Sequence, residues 1–562
     1  MLTKTSWLRR AAAFVLPMFV ALAAHAALPA GVTQGATVEG VTEYRLANGL
    51  TVLLFPDATK AKTTVNVTYR VGSAYENYGE TGMAHLLEHL VFKGTPSRGN
   101  IMQELGRRGM SFNGTTGQDR TNYFESFNAS DESLDWALAM EADRMVNSYI
   151  RRSDLDSEMT VVRNEFEMGE NSPRRVLYEK MLASAYQWHN YGKTGIGARS
   201  DIENVDISHL QAFYKLYYQP DNAVLIVAGK FDPDKTLALI AKYFGPIPKP
   251  TRTLPQMWTE EPVQDGERAV TLRRVGNSQF VGLMYHTVRG SHPDSVAADV
   301  LGDVMTLAPS GRMYKALVEA RKATSVVSDA ESLRDPGLLT FIAEVPEGAS
   351  LAAARDAMFA TIDNVAKEPI TEAEVARVRA RAAKYFDDTI NNPQAFGVAI
   401  SESIALGDWR LFFITRDRYR TVKPEDVQRV ALAYLKRSNV TIGEFVPDPK
   451  PDRAPAPAAV DVAALVKDYK GDATVTAGEA FDPSPANLDA RTERFTLPNG
   501  TKVALLPKKT RGGTVKIALQ IDQGDEKSLF GRAPQGMLMA EMLIVAGEIG
   551  RATATHEPTE GS

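Results

Sequence analysis

The sequence predicts an α+β protein assembled from repeated units, on three observations. Residues 44–56 return as 495–507, each an apolar-rich pair of strands bent at Asn-Gly (Asn48-Gly49 and Asn499-Gly500), a strong hairpin signal. Residues 205–224 return as 422–441 without a gap, with Leu210, Phe213 and Tyr217 matching Val427, Val430 and Tyr434, and Asn222 matching Asn439. Each copy reads as an amphipathic helix, a turn and an apolar strand. Finally, strand-like runs at 279–285 and 338–345 mix with long helical patterns such as 372–387.

In chain order, residues 1–26 come first. Lys4, Arg9 and Arg10 precede the apolar run 11–24, and Ala24-His25-Ala26 closes it. That is the order of a secretory signal peptide with an Ala-x-Ala cleavage site. The run is short for a membrane span and is broken by Pro17; a retained anchor is the alternative. Arg9-Arg10 hints at twin-arginine export, although the flanking residues suit ordinary secretion better. The expected compartment is a bacterial periplasm, with no membrane attachment after cleavage. A first unit then spans 38–248 and ends in the Pro-rich stretch 246–250. A second spans 268–446. A Pro/Ala-rich linker occupies 447–490 and reads as an extended spacer. A third unit opens in 491–562, repeating the start of the first and leaving most of that fold without counterpart.

The chain has 562 residues, too many for one ordinary domain. Hydrophobic residues make up 44% and charged residues 24%, which excludes wholesale disorder. A net charge of −5 makes it a poor partner for nucleic acid, whose binding leans on phosphate neutralisation. Cys is absent, which excludes disulfides, thiol nucleophiles and Cys-ligated metal. Any metal must be held by carboxylates and by the 8 His.

Residues 82–94 are apolar and free of Pro, so they read as a largely buried helix. On it His85 and His89 stand one turn apart on one face, the spacing two imidazoles need for one metal. Glu88, one residue before the second His, can reach a metal-bound water without ligating the metal. Chance supplies on the order of 0.01 such H-x-x-E-H patterns in a chain this poor in His, so the match is specific. Zinc held by two imidazoles needs a third protein ligand. The helix-like segment 155–171 offers Glu158, Glu165, Glu167 and Glu170, of which Glu158 and Glu165 share a face. Spacing does not choose among them, and a carboxylate row on a helix is often just a solvated face. The other His of this region, His189, His209, His286 and His292, have no second ligand at metal spacing.

H-x-x-E-H on a helix is the inverzincin signature, and the chain resembles the insulinase or pitrilysin family of zinc peptidases. The matching marks are His85-Leu-Leu-Glu-His89 after Gly82, Asn113-Gly-Thr-Thr116 with Thr121-Asn-Tyr123, and Glu158 with Val161-Val-Arg-Asn-Glu165. Further marks are Ile196-Gly197 and Tyr218-Gln-Pro-Asp-Asn222. The resemblance implies that His85, His89 and Glu165 bind one Zn2+, that Glu88 is the general base, and that Glu158 orients a ligand imidazole. It implies that Asn113 holds the backbone of a peptide substrate beside an edge strand; an Asn-Gly turn is the alternative. Gly114 stands where the family usually has Ala, a change expected to matter little. The family builds each unit as an antiparallel sheet with helices packed on one face. Four such units form two halves that close around the peptide.

In the third unit, alignment on Gly536-Met537 sets Met539, Met542 and Leu543 opposite His85, Glu88 and His89. That copy cannot bind zinc. The expected activity is therefore a zinc endopeptidase acting on peptides or unfolded segments, with a homodimer or a partner chain supplying the second half. The alternatives are a catalytically weak peptide-binding remnant and a structural subunit, the latter opposed by the intact His85, Glu88 and His89. The apolar stretch 537–546 is expected to recruit a partner or cause aggregation.

Overall fold

Two sheets and the helices that cover them account for most of the chain. The computed structural model describes residues 27–542 except 474, 476, 523, 533 and 540; the expected signal peptide at 1–26 and the residues 543–546 lie outside the described residues. The chain divides into one unit ending at Asp452 and another beginning at Arg453.

In the larger unit, the first sheet contains β1 (Val32–Val38), β2 (Val41–Leu46), β3 (Thr51–Pro56), β4 (Lys62–Tyr69), β5 (Ser111–Thr116), β6 (Thr121–Asn128) and β7 (Ala223–Gly229). Its order is β1-β2-β3-β7-β4-β6-β5, so β5 is an edge. All pairs are antiparallel except β3 with β7. The sheet starts at β1, ahead of the boundary expected at 38. The Asn-Gly signal works as read: Gly49 takes φ 99° between β2 and β3, and Asn48 donates to the carbonyls of Phe244 and Ile247. β7 is apolar and buried at every position, as a central strand covered on both faces must be.

The second sheet contains β8 (Arg268–Arg274), β9 (Gln279–His286), β10 (Ser325–Ala330), β11 (Leu338–Val345) and β12 (Val440–Pro447), in the order β10-β11-β9-β12-β8. Only β12 with β8 is parallel. Each sheet packs one face on helices from its own stretch of chain. In the first, Leu86, Leu87, Leu138 and Leu210 meet Val65, Val67 and Leu225.

The remaining faces are covered reciprocally. The helix Pro393–Ala405, from the second stretch, sets Phe396, Ile400 and Ile404 against Leu53, Val224 and Ile226 of the first sheet. The helix Pro173–Ala185, from the first stretch, sets Leu177 and Met181 against Phe280, Ile342 and Phe445 of the second. Gly282 and Gly443 pair across β9 and β12, and a Cβ at Gly282 would lie 2.7 Å from the Met181 sulfur. The two glycines make the hollow into which Met181 fits. Neither sheet buries both its faces without the other's helix, so the packing does not divide at 248–268.

The smaller unit holds the hairpin β13 (Glu493–Thr496) and β14 (Lys502–Leu505), with Gly500 at φ 86°. The stretch read as a linker carries the short helices Val462–Val466 and Pro485–Arg491. Met537, Met539 and Met542 are all exposed.

Candidate metal centre

The site is built on the helix Met83–Leu90. Met83, Ala84, Leu86, Leu87 and Leu90 are buried in the first core, which leaves His85, Glu88 and His89 on the remaining face. Opposite runs the helix Arg152–Glu170, anchored by buried Leu155 and Val162.

The structure brings the two His and one Glu together. The Nε2 atoms of His85 and His89 are 3.4 Å apart. Glu165 Oε2 lies 3.5 Å from the first and 3.6 Å from the second. One ligand atom from each residue falls within 4.8 Å of the others, the arrangement of a three-ligand metal site. Burial, with His89 and Arg175 nearby, holds His85 down to about 4, so its imidazole is neutral and has a lone pair to donate.

Glu158, two turns before Glu165, reaches the other side of His89: its Oε1 is 3.0 Å from Nδ1. Lys93 donates to its second oxygen. Burial alone would raise the Glu158 carboxyl, but the hydrogen bonds from Lys93 and His89 outweigh it and bring it down. An ionised Glu158 fixes the proton of His89 on Nδ1 and leaves Nε2 facing Glu165. Glu167 is exposed and Glu170 accepts from Arg274, so neither joins the cluster.

Glu88 stands beside the trio without joining it. Thr116 donates to its Oε2 at 2.5 Å. Burial raises the Glu88 carboxyl and the Thr116 bond opposes the rise, which suits a group that must take up a proton. A Cβ at Gly114 would stand 2.8 Å from Glu88 Cγ, so the glycine gives Glu88 its seat against β5. The change from Ala at 114, expected to matter little, falls against the candidate base.

Asn113 lies within β5 and pairs with Phe124 in register. Asn113-Gly114 is strand, and the turn alternative fails. Asn113 is exposed on an edge that, among the described residues, carries no further strand.

Sequence reasoning missed Glu76. This fully buried carboxylate accepts from the N–H groups of Gly82 (2.8 Å) and Ala84 (2.7 Å), at the start of the helix Met83–Leu90. Burial pushes it up to about 8 against the pull of those two bonds. The other described His have other partners. His189 is buried beside Asp335, His209 pairs with Glu80, His286 donates to the Ala185 carbonyl, and His292 accepts from the Asp294 N–H. Among the described residues, His85, His89 and Glu165 form the one metal-competent cluster of at least three such side chains, and no helix is long and apolar enough to cross a membrane.

Residues 51–199 match the family model described as insulinase (peptidase family M16), and residues 204–382 match its companion, the peptidase M16 inactive domain. An uncharacterized zinc protease of Mycobacterium bovis is 30% identical over 319 residues, 55% of this chain and 71% of that protein. The chain belongs to the insulinase family, M16. The zinc protease PqqE of Helicobacter pylori is 29% identical over 403 residues, 70% of this chain and 90% of that protein. A crystal structure of a protease from Helicobacter pylori matches with a TM-score of 0.69 at 28% identity, over 72% of this chain and 99% of that one. His85, Glu88, His89, Glu158 and Glu165 of this M16 chain lie in the insulinase match, and the second sheet lies partly in the inactive-domain match. In both M16 stretches the fold is α+β with antiparallel-rich sheets.

Proposed function

We propose that the chain is a zinc-dependent endopeptidase that hydrolyses peptide bonds in oligopeptides or unfolded segments. One observation carries the reading: His85, His89 and Glu165 converge on one point, and Glu88 stands beside them outside the cluster. Two imidazoles and a carboxylate suit zinc, and leave a coordination position for water. His85, His89 and Glu165 would hold one ion per chain, which supplies Lewis acidity that polarises a carbonyl and acidifies a water at neutral pH.

The protein's own groups do the rest. Glu88 accepts a proton from the attacking water as its oxygen bonds to the scissile carbon, and returns it to the nitrogen as the C–N bond breaks. Thr116 holds Glu88 on β5. The outer edge of β5, with Asn113 exposed on it, can take up an extended peptide by main-chain hydrogen bonds, which gives affinity with little sequence preference. Glu158 holds the His89 tautomer. We read the second sheet as an inactive copy of the unit, and residues 1–26 as a signal that sends the protein to the periplasm.

A second reading, a partner-dependent subunit, rests on the smaller unit. There Val515, Ile517, Leu519 and Phe530 are exposed, more apolar surface than a free domain normally leaves in water. It would be covered by a second copy or a partner chain. The test is hydrolysis of a quenched peptide by residues 27–562, with zinc content measured on the same sample. Cleavage that a chelator abolishes and zinc restores supports the peptidase. One zinc per chain without cleavage favours the partner-dependent subunit, and absence of both overturns the two readings together.

A further inference from the structure

Glu76 has no solvent exposure and, among the described residues, its carboxylate has no ion-pair partner. Lys193 donates instead to the main-chain carbonyl of Glu76, at 3.5 Å. Each carboxylate oxygen accepts one N–H from the start of the helix Met83–Leu90, and the positive end of the helix dipole faces the same group. A buried carboxylate that no cation touches is costly, and a helix start needs nothing so costly: a Ser or Asp directly before the first turn would satisfy it. Here that position is Gly82, at φ 94° and with no side chain to offer.

The segment that carries Glu76 is itself held. Asn190 donates to the carbonyls of Ala74 (2.7 Å) and Glu76 (3.1 Å). Asp201 accepts from the N–H and the hydroxyl of Thr81 at 3.1 and 2.7 Å. A Cβ at Gly82 would lie 2.6 Å from the Ile196 carbonyl oxygen, so the chain passes close under this second segment. Glu76 thus ties the helix to a fixed frame, where a local cap would only close its end. Ala84, one of the two tied residues, directly precedes His85.

We propose that Glu76 is a positioning residue for metal binding: it fixes the first turn of the helix, and with it the direction of His85 and His89, before an ion arrives. This rests on the reading of His85, His89 and Glu165 as ligands. Glu76→Gln keeps the shape but turns one acceptor into a donor that faces a backbone N–H. Zinc affinity of the wild type and of Glu76→Gln is measured by competition with a chelator, and thermal midpoints of the metal-free proteins are recorded beside it. The expected result is zinc binding weakened about 10–100-fold, the range seen for groups that orient metal ligands. Unchanged affinity with a lowered midpoint would show a purely structural cap and overturn the proposal. Failure of the wild-type chain to bind zinc would overturn the ligand reading first. Should Glu76→Gln not fold, hydrogen exchange of the metal-free wild type decides. Protected amides at Gly82 and Ala84 support the proposal, and amides protected only after zinc is added refute it.

Discussion

His89 divides its two ring nitrogens between two carboxylates of one helix: Nδ1 lies 3.0 Å from Glu158 Oε1 and Nε2 lies 3.6 Å from Glu165 Oε2. A single heptad step along the helix Arg152–Glu170 therefore supplies both the group that sets the His89 tautomer and the group that faces its lone pair. Removing the first leaves the second in place. Glu158→Gln is expected to weaken zinc binding about 10–100-fold, and Lys93→Met, which frees only the far oxygen of Glu158, to weaken it less. Competition titration against a chelator checks both, and equal affinity for Glu158→Gln and wild type would remove Glu158 from the site.

Glu88 is expected to separate chemistry from metal binding. It hydrogen-bonds Thr116 and is not one of the three converging ligands. Glu88→Gln should retain zinc at the wild-type level and lower kcat by about 10²–10⁴-fold, the usual contribution of a positioned general base. Metal analysis and peptide hydrolysis on one preparation read both quantities, and wild-type turnover by Glu88→Gln would sink the assignment.

What was legible in the sequence follows the range of the forces involved. His85, Glu88 and His89 were legible because helical spacing alone puts them on one face. Glu158 and Glu165 were legible as a pair for the same reason, but choosing Glu165 as the candidate ligand took the resemblance, since helical spacing says nothing of what stands opposite. Asn113-Gly114 resembled a turn by local preference, and pairing with β6 overrides that preference at the sheet edge. Glu76 sits in the polar run Glu76-Asn-Tyr-Gly-Glu80, which reads as a surface loop; only the fold carries it beneath the helix. The exchange of the helices Pro173–Ala185 and Pro393–Ala405 was equally hidden, because an apolar helix face does not say which sheet it will cover.

That exchange makes a stability prediction. Met181 reaches across to Gly282 and Gly443 in the second sheet. Gly282→Ala sets a methyl group into its thioether and should cost about 1–3 kcal/mol. Met181→Ala empties the hollow and should cost about 2–5 kcal/mol. Because the two changes act on one space, the double substitution should cost less than their sum. Urea denaturation of the four proteins closes the cycle, and strict additivity would show that the residues do not share that space.

The last prediction concerns acid. Glu374, in the first turn of the helix Glu372–Ile390, forms a capping box with Thr371 and takes two hydrogen bonds from Arg312, at 2.7 and 2.9 Å. Burial alone would raise its carboxyl, but the Arg312 bond and the Thr371 N–H and hydroxyl outweigh it and bring it from 4.5 to about 2. A carboxyl depressed in the folded state adds stability above its ordinary value and loses it as pH falls toward the folded value. After allowance for solvent screening, the Glu374 contribution is about 1–2 kcal/mol near neutral pH. The gap in unfolding free energy between wild type and Glu374→Gln should therefore shrink steadily from about pH 5 to about pH 3, since only the wild type has a carboxylate there to protonate. A gap that stays constant over that interval would mean that the charge of Glu374 contributes nothing, and that its hydrogen bonds to Arg312 and Thr371 act as neutral ones.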